Sequence, residues 1–256
     1  MNTHFSVIDI CISVVRTMCR TPGQFFWANA IFCVSGLVVI AIFSLTSANP
    51  SYEKFIAIVL TMLIILCLLP LFIMTMVHNH HLFLSEECND KRKKLFFDNG
   101  SALRYLMWLI VIVWLAAASE VVLAGLSETI REKIVLRAGD EFYVSFLSIV
   151  SHSVSVYLIS RLVLILPSVA SGIRKRGLRW AWKMSDRHSI ALFLLCMVIH
   201  LIFDALGEIL QMSQSYMVGI VVWLLWCFMM VVAVGVLSRS YSSLVEKNRL
   251  KALYEE

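Results

Sequence analysis

The sequence has little charge and few of the residues that interrupt helices. Charged residues make up 15% of its 256 residues, whereas about 25% is usual in a soluble domain. Only 4 proline and 10 glycine residues are present, which excludes collagen-like and low-complexity chains. Hydrophobic residues make up 60%, and the mean hydropathy is +0.83. Because so little polar surface is left to cover a soluble core or build a large catalytic domain, the composition predicts a protein whose outer surface faces lipid.

The sequence also lacks the motifs of soluble enzymes and of cysteine frameworks. Its 7 cysteines are scattered and form no C-x-x-C pair, so we interpret them as small hydrophobic residues rather than as disulfide partners or zinc ligands. There is no P-loop, no G-x-S-x-G elbow, no H-E-x-x-H motif and no Rossmann glycine pattern. We therefore predict a non-enzymatic protein without a cofactor.

Apolar runs of membrane-spanning length dominate the chain. Each of six runs can cross a hydrocarbon layer of about 30 Å at 1.5 Å per residue. Backbone groups in lipid must be hydrogen-bonded within their own segment, so the predicted fold class is all-α, a polytopic bundle of six transmembrane helices. The fourth run is polar on one side. The runs cover residues 24–47, 55–77, 104–126, 142–167, 189–211 and 216–238.

The lysine and arginine residues are unevenly distributed between the two sides of these runs. One set of flanks holds 17 of the 22 basic residues and the other holds 4, while Arg161 lies inside the fourth run. Basic flanks stay on the cytoplasmic side, so the distribution predicts that both termini are cytoplasmic. We expect a multi-pass protein of the bacterial inner membrane, with a bundle over residues 24–238 and a cytoplasmic tail over residues 239–256.

Residues 1–23 precede the first run and predict an amphipathic helix. Phe5, Ile8 and Ile12 recur at helical spacing, and a Thr-Pro-Gly sequence ends the pattern. No basic residue comes before Arg16, which is not typical of a signal peptide. We favour a helix lying on the cytoplasmic leaflet, and the alternative is a half-helix packed into the bundle.

A second amphipathic helix is predicted over residues 172–187, between the fourth and fifth runs. Tryptophan prefers the headgroup level, and basic side chains near anionic lipid contribute about 1 kcal/mol each, which favours a helix on the inner membrane surface. Nucleic-acid binding is the alternative for a basic, aromatic segment, but orientation already explains the charges, so we expect no nucleic-acid partner. The predicted headgroup contacts are Arg161, Arg174, Lys175, Arg176, Arg179, Trp180 and Trp182.

Ionisable residues inside the runs are the candidate functional residues, because burying them in lipid is costly. His200, Asp204 and Glu208 follow one another at i, i+4 and i+8 and so share one face of the fifth run. Glu120 of the third run and His152 of the fourth join them if the three helices are neighbours. These residues predict a polar cleft that relays protons or cations, or binds a cationic group. The alternative is structural, with polar side chains that hydrogen-bond neighbouring helices.

Arg161 lies in the inner half of the fourth run, six residues before Pro167. We favour a side chain that extends to the cytoplasmic interface, and the alternative is an ion pair with Asp186 or a lipid phosphate. Because proline lacks a backbone donor, we expect the chain to turn or kink at Pro167.

A histidine cluster follows the second run. His78, His80 and His81 precede two glutamates, a cysteine and an aspartate, and clustered histidine and cysteine can bind zinc. However, no known ligand spacing is met, and adjacent histidines diverge on a helix. They remain metal candidates that the spacing does not favour.

Residues 160–193 resemble a recurring bacterial membrane module, which is fused to some glycerophosphodiester phosphodiesterases and also occurs alone as small six-helix inner-membrane proteins. The segments SRLVLILPSVASG and GLRWAWKMSDRHSIALF fit its order of an arginine, a proline six residues later, a loop and an amphipathic helix. The acidic residue that often follows the proline is missing. The resemblance implies a six-helix bundle and no activity. The matching residues are Arg161, Pro167, Ala181, Trp182 and Ser185.

These observations predict an integral inner-membrane protein that moves or binds a small cation, a proton or an amphiphile through the polar face of the third to fifth runs. The alternative is a membrane-embedded scaffold, regulator or immunity-type subunit. Membrane lipids are expected partners in both cases, as is a second copy or a membrane-complex subunit. An intramembrane enzyme is not favoured, because Ser185, Asp186 and His188 diverge at helical spacing.

Overall fold

In the computed structural model, the described residues are 6–47, 54–84, 99–134, 140–173, 176–212 and 215–254. Within these ranges the chain is almost wholly helical and forms no strand, which confirms the all-α prediction. The helices are α1 (Val7–Arg20), α2 (Pro22–Ser47), α3 (Lys54–Leu84), α4 (Asn99–Ile134), α5 (Asp140–Leu162), α6 (Ile165–Ala170), α7 (Leu178–Ser185), α8 (Ser189–Met212) and α9 (Tyr216–Tyr254).

The long apolar helices fit an integral membrane protein. Within the described part of the chain, five segments are long and apolar enough to cross a membrane. They are Pro22–Ala41, Gly100–Leu126, Ile149–Ala170, Ser189–Met212 and Met217–Glu246. In α3, the apolar segment Leu68–Leu84 is shorter than a span. The predicted sixth crossing, which begins among residues of α3 whose side chains are not described, therefore stays a prediction.

Helices α5, α6 and α9 connect the other helices of the bundle. Helix α5 contacts both α4 and α8, while α9 contacts α1, α2, α3 and α8, and α6 packs against α3, α4 and α9. Among the described residues, burial differs strongly from helix to helix. Thirteen of the 22 residues of Ile149–Ala170 are buried, compared with three in Gly100–Leu126 and three in Ser189–Met212. Most of the α4 and α8 surface is thus left to contact lipid.

The break between α5 and α6 falls at Val163 and Leu164, not at Pro167 where we expected it. The proline ring clashes with the carbonyl group four residues earlier, which here belongs to Val163, and the proline cannot donate a hydrogen bond to it. Instead Leu166 N donates to Val163 O at 3.0 Å, as in a tighter turn. Every residue from Ser160 to Ala170 is buried, so this broken segment lies inside the protein.

Helix α1 combines features of both arrangements considered for it. Ser6 caps its first turn by accepting a hydrogen bond from Asp9 N at 3.2 Å. One face buries Ile10 and Val14, and α1 contacts α9 and α2. The opposite face exposes apolar side chains, among them Ile8. The helix is therefore docked on the bundle and still presents an apolar surface, while its position at the cytoplasmic leaflet stays a prediction.

Two predicted boundaries differ from the structure. Among the described residues of the segment predicted as a helix over residues 172–187, the α-helix covers Leu178–Ser185, because α6 ends in a turn in which Gly172 adopts a φ of 76°. A 3-10 turn, Asp186–His188, then leads into α8. The predicted tail from residue 239 onward instead continues α9 to Tyr254, and its first turns bury Tyr241 and Leu244 against Leu84.

Candidate cation site

Helices α4, α5 and α8 bring together four of the five residues predicted to line a polar cleft. Helix α5 lies against both neighbours, so Glu120 of α4, His152 of α5 and His200 of α8 meet. Asp204 joins them because it lies one turn after His200 on the same face. Glu208, one turn further along, is exposed and lies outside this group. We call Glu120, His152, His200 and Asp204 the histidine–carboxylate cluster.

The groups of the histidine–carboxylate cluster lie close together but do not form short hydrogen bonds. His152 Nδ1 is 3.6 Å from Glu120 Oε1, and His200 Nε2 is 3.5 Å from Asp204 Oδ2. Both distances exceed the range of about 2.7–3.2 Å typical of N–H···O hydrogen bonds. The two imidazole rings stack with centroids 4.5 Å apart and an interplanar angle of 26°. One ligand atom from each of His152, His200 and Asp204 lies within 4.8 Å of the others.

The cluster is partly open, and one of its atoms is unsatisfied. The side chains of His152 and Glu120 are 37% and 50% exposed, and those of His200 and Asp204 are 38% and 53% exposed. His152 Nε2 is nevertheless buried and has no hydrogen-bond partner among the described residues. A buried nitrogen without a partner costs about 1–3 kcal/mol. The cluster therefore has one buried nitrogen without a partner and side chains that are partly exposed at the surface of the protein.

A serine pair fixes α4 against α5 beside the cluster. Ser119 donates its hydroxyl hydrogen to Ala116 O at 2.7 Å, so at its 2.8 Å contact with Ser155 the Ser155 hydroxyl is the donor. Ser155 is buried, and a satisfied hydroxyl pair between two apolar helices stabilises their contact. The pair helps to position Glu120 opposite His152, because Glu120 directly follows Ser119 and His152 lies three residues before Ser155.

His80 is the centre of a second, closed polar group. Ser238 donates to Val234 O at 2.8 Å, so its oxygen accepts from His80 Nδ1 at 2.7 Å, and His80 Nε2 then accepts from the Tyr105 hydroxyl at 3.1 Å. Both ring nitrogens of this fully buried histidine are thus occupied. Since both nitrogens already have hydrogen-bond partners, neither is free to bind a metal ion in this arrangement.

Among the described residues, His78 and His81 are not part of a grouping of metal-ligand atoms. His78 and His81 are half-buried, and in the part of the chain that is described the grouping of metal-ligand atoms falls on the histidine–carboxylate cluster instead. The acidic and cysteine residues that follow them lie outside the described residues. Next to His80, Asn79 exchanges two hydrogen bonds with Asn29, at 2.9 and 3.1 Å, which ties α3 to α2.

Arg161 is buried inside the protein, whereas we favoured a side chain that reaches the lipid interface. It is 4% exposed and forms an ion pair with Asp186, with Nη2 2.9 Å from Oδ1. The same guanidinium donates to Trp182 O at 2.6 Å, to Ser185 Oγ at 3.0 Å and to the Tyr157 hydroxyl at 3.3 Å. Arg161 therefore holds α7 and the turn after it against α5.

The remaining predicted headgroup residues divide into docked and exposed ones. Arg176 stacks over Trp180 with 4.3 Å between its guanidinium carbon and the ring centroid, and it donates to the Tyr241 hydroxyl. Trp182 is exposed, but its ring also lies 3.8 Å from the Arg161 guanidinium carbon. Arg179 is exposed and available to lipid headgroups. The other two, Arg174 and Lys175, lie outside the described residues.

Sequence reasoning missed the partners that satisfy the buried polar groups. Tyr105, Ser238 and the carbonyl of Trp182 belong to residues without a distinctive spacing. Serine and tyrosine are common in apolar helices, so only their positions in space reveal them. Comparison of the chain with protein-family models, with curated proteins and with solved structures gave no match in any of the three.

Proposed function

We propose that this protein is a non-enzymatic, multi-pass protein of the bacterial inner membrane that binds a small cation or proton at the histidine–carboxylate cluster and passes it along α4, α5 and α8. In this proposal both termini are cytoplasmic, as the basic residues predict. The observation that supports it is the meeting of two imidazoles and two carboxylates from three apolar helices.

Charge explains why a cation is the favoured ligand. The sequence has no lysine or arginine between residues 105 and 130, between 138 and 160, or between 188 and 238. The cluster contains two carboxyl side chains, those of Glu120 and Asp204, and these stretches of its helices contain no lysine or arginine to balance a carboxylate charge. A bound cation or proton relieves the cost of holding such charges at membrane depth.

The cluster combines groups that exchange protons near neutral pH with groups that hold cations. Imidazole is the side chain that titrates in this range, and a carboxylate beside it accepts or returns the proton. The half-exposure of all four side chains provides an entrance. A cationic headgroup of an amphiphile fits the same carboxylates and is one outcome of the experiment below.

The experiment uses the full chain in liposomes, with protons, Na⁺ and Zn²⁺ as separate probes. Uptake of each probe is measured with an enclosed dye that responds to that ion. The variants are His200→Gln and Asp204→Asn, singly and combined. Glu208→Gln is the matched control, because it removes an exposed carboxylate from the same helix. We expect the cluster variants to lose flux or binding of at least one probe by about tenfold or more, and the control to behave like the parent chain.

Equal flux and binding by the parent and the double variant, for every probe, would refute the proposal. That result, together with loss of a captured membrane partner when Arg176 or Arg179 is replaced, would favour the scaffold or regulator alternative. A complex with a second copy of the chain is compatible with either function, and crosslinking in the membrane measures it directly.

A further inference from the structure

We propose that His152, His200 and Asp204 form a binding site for a divalent transition-metal ion of the Zn²⁺ type, and that Glu120 positions His152. This inference rests on the proposed function, since it names the cation that the histidine–carboxylate cluster takes. The metal assignment can be tested separately from the proposed function, because a cluster that binds only protons or Na⁺ would agree with the function but not with the assignment.

The donor atoms favour a transition metal over other cations. Two imidazole nitrogens and a carboxylate oxygen suit Zn²⁺, Ni²⁺ or Cu²⁺, whereas Mg²⁺ and Ca²⁺ prefer sites made of oxygen ligands. Two of the three ligand side chains are histidines, and one ligand atom of each lies within 4.8 Å of the others. A site selected for Na⁺ or Mg²⁺ gains nothing from two imidazoles.

The spacing of His200 and Asp204 fits two ligands on one tetrahedral ion. Bonds of about 2.0–2.2 Å at a tetrahedral angle place two ligand atoms roughly 3.4 Å apart. His200 Nε2 and Asp204 Oδ2 are 3.5 Å apart, one helical turn from each other. The pair is already at the separation of a two-point chelate on the surface of α8, although no short hydrogen bond holds it there.

His152 supplies the third ligand with the atom that lacks a partner. Its Nδ1 faces Glu120 Oε1 at 3.6 Å, while its Nε2 is buried and makes no hydrogen bond to the described residues. A metal-binding histidine commonly directs its other ring nitrogen to a carboxylate, which fixes the tautomer and the ring orientation. Glu120 takes this role, and the metal satisfies the Nε2 lone pair that is otherwise unpaired.

The site is of the open kind that releases its ion. The three ligand atoms lie within 4.8 Å of one another, so side-chain rotation is needed to bring all three to coordination distance. Three protein ligands leave a fourth position for water or an incoming group, as in sites that exchange ligands rather than closed structural sites. The half-exposed side chains leave that position accessible.

Zn²⁺ titration of the purified full chain in nanodiscs tests the assignment, with Co²⁺ as a spectroscopic probe of a tetrahedral nitrogen and oxygen site. We expect one Zn²⁺ per chain, affinity loss of about 100-fold or more in His152→Gln, His200→Gln and Asp204→Asn, and about tenfold loss in Glu120→Gln. Glu208→Gln should bind Zn²⁺ like the parent chain. Excess Mg²⁺ or Ca²⁺ should not displace the ion.

Several results would overturn the metal site. Unchanged Zn²⁺ affinity in His200→Gln and Asp204→Asn places any bound zinc elsewhere in the chain, and equal displacement by Mg²⁺ removes the role of the imidazoles. Size-exclusion profiles and thermal unfolding of each variant show that the chain is folded. If Zn²⁺ does not bind but proton or Na⁺ flux still depends on His200, the metal assignment fails while the proposed function stands.

Discussion

Two polar regions within the same apolar bundle are built in opposite ways. The first consists of the buried polar groups around His80 and Arg161, which we call the closed region. His80 is fully buried with both ring nitrogens hydrogen-bonded, and Arg161 has four partners. In the histidine–carboxylate cluster, the side chains are half-exposed, the contacts are 3.5 and 3.6 Å, and His152 Nε2 has no partner among the described residues. One region is closed by the protein, and the other is left incomplete.

The difference separates a structural role from a functional one. An unsatisfied polar group is costly at membrane depth, so groups kept there are either fully paired or held for a ligand. The hydrogen bonds and the ion pair within the closed region are sufficient to explain why its polar groups are buried. The cluster is not explained in this way, because it places four ionisable groups from three helices at contacts of 3.5 and 3.6 Å and leaves His152 Nε2 without a partner among the described residues.

The first prediction tests the closed region where its effect is largest. Arg161→Met removes a guanidinium that joins α5 to α7 through charged hydrogen bonds, and we expect the free energy of unfolding to fall by about 3 kcal/mol. Arg161→Lys should recover part of the loss, because an ammonium cannot match the fork of donors. Denaturation of the full chain in mixed detergent micelles measures both.

Asp186→Asn is the control for that prediction. The Asp186 side chain is 70% exposed, so its ion pair with Arg161 is screened and we expect a loss under about 1 kcal/mol. A loss as large as that of Arg161→Met would show that the charge pair, rather than the hydrogen bonds to Ser185 and the Trp182 carbonyl, holds α7 in place.

The second prediction concerns His80 and has a smaller expected effect. His80→Leu leaves the buried Tyr105 hydroxyl without its acceptor, which should cost about 2 kcal/mol. Adding Tyr105→Phe removes the stranded hydroxyl, so the double variant should regain stability relative to the single one. If the double variant is less stable than His80→Leu by the full cost of a second independent change, the two side chains are not coupled and the closed region is wrongly described.

Much of the fold follows from the sequence, because apolar runs and the i, i+4 spacing are local properties. The helices and the shared face of His200 and Asp204 were predictable in this way. The buried location of Arg161 was not predictable, because it depends on the hydrogen-bond acceptors that α7 brings near it in space. These acceptors are the Trp182 carbonyl and the Ser185 hydroxyl. The position of the break was not predictable either: it lies four residues before Pro167, where the proline ring would clash with the Val163 carbonyl of a regular helix.

The third prediction has the smallest effect on stability and sharpens the contrast most. His200→Gln and Asp204→Asn should change the free energy of unfolding, measured without added metal, by no more than about 0.5 kcal/mol, because both side chains are half-exposed and make no short hydrogen bond. With Zn²⁺ present, the parent chain should gain stability in proportion to binding, and the two variants should not. Large destabilisation of both variants in metal-free buffer would instead show that the cluster holds α8 to α5. The incomplete geometry would then be structural, and a bound cation would no longer be needed to explain why these groups lie together.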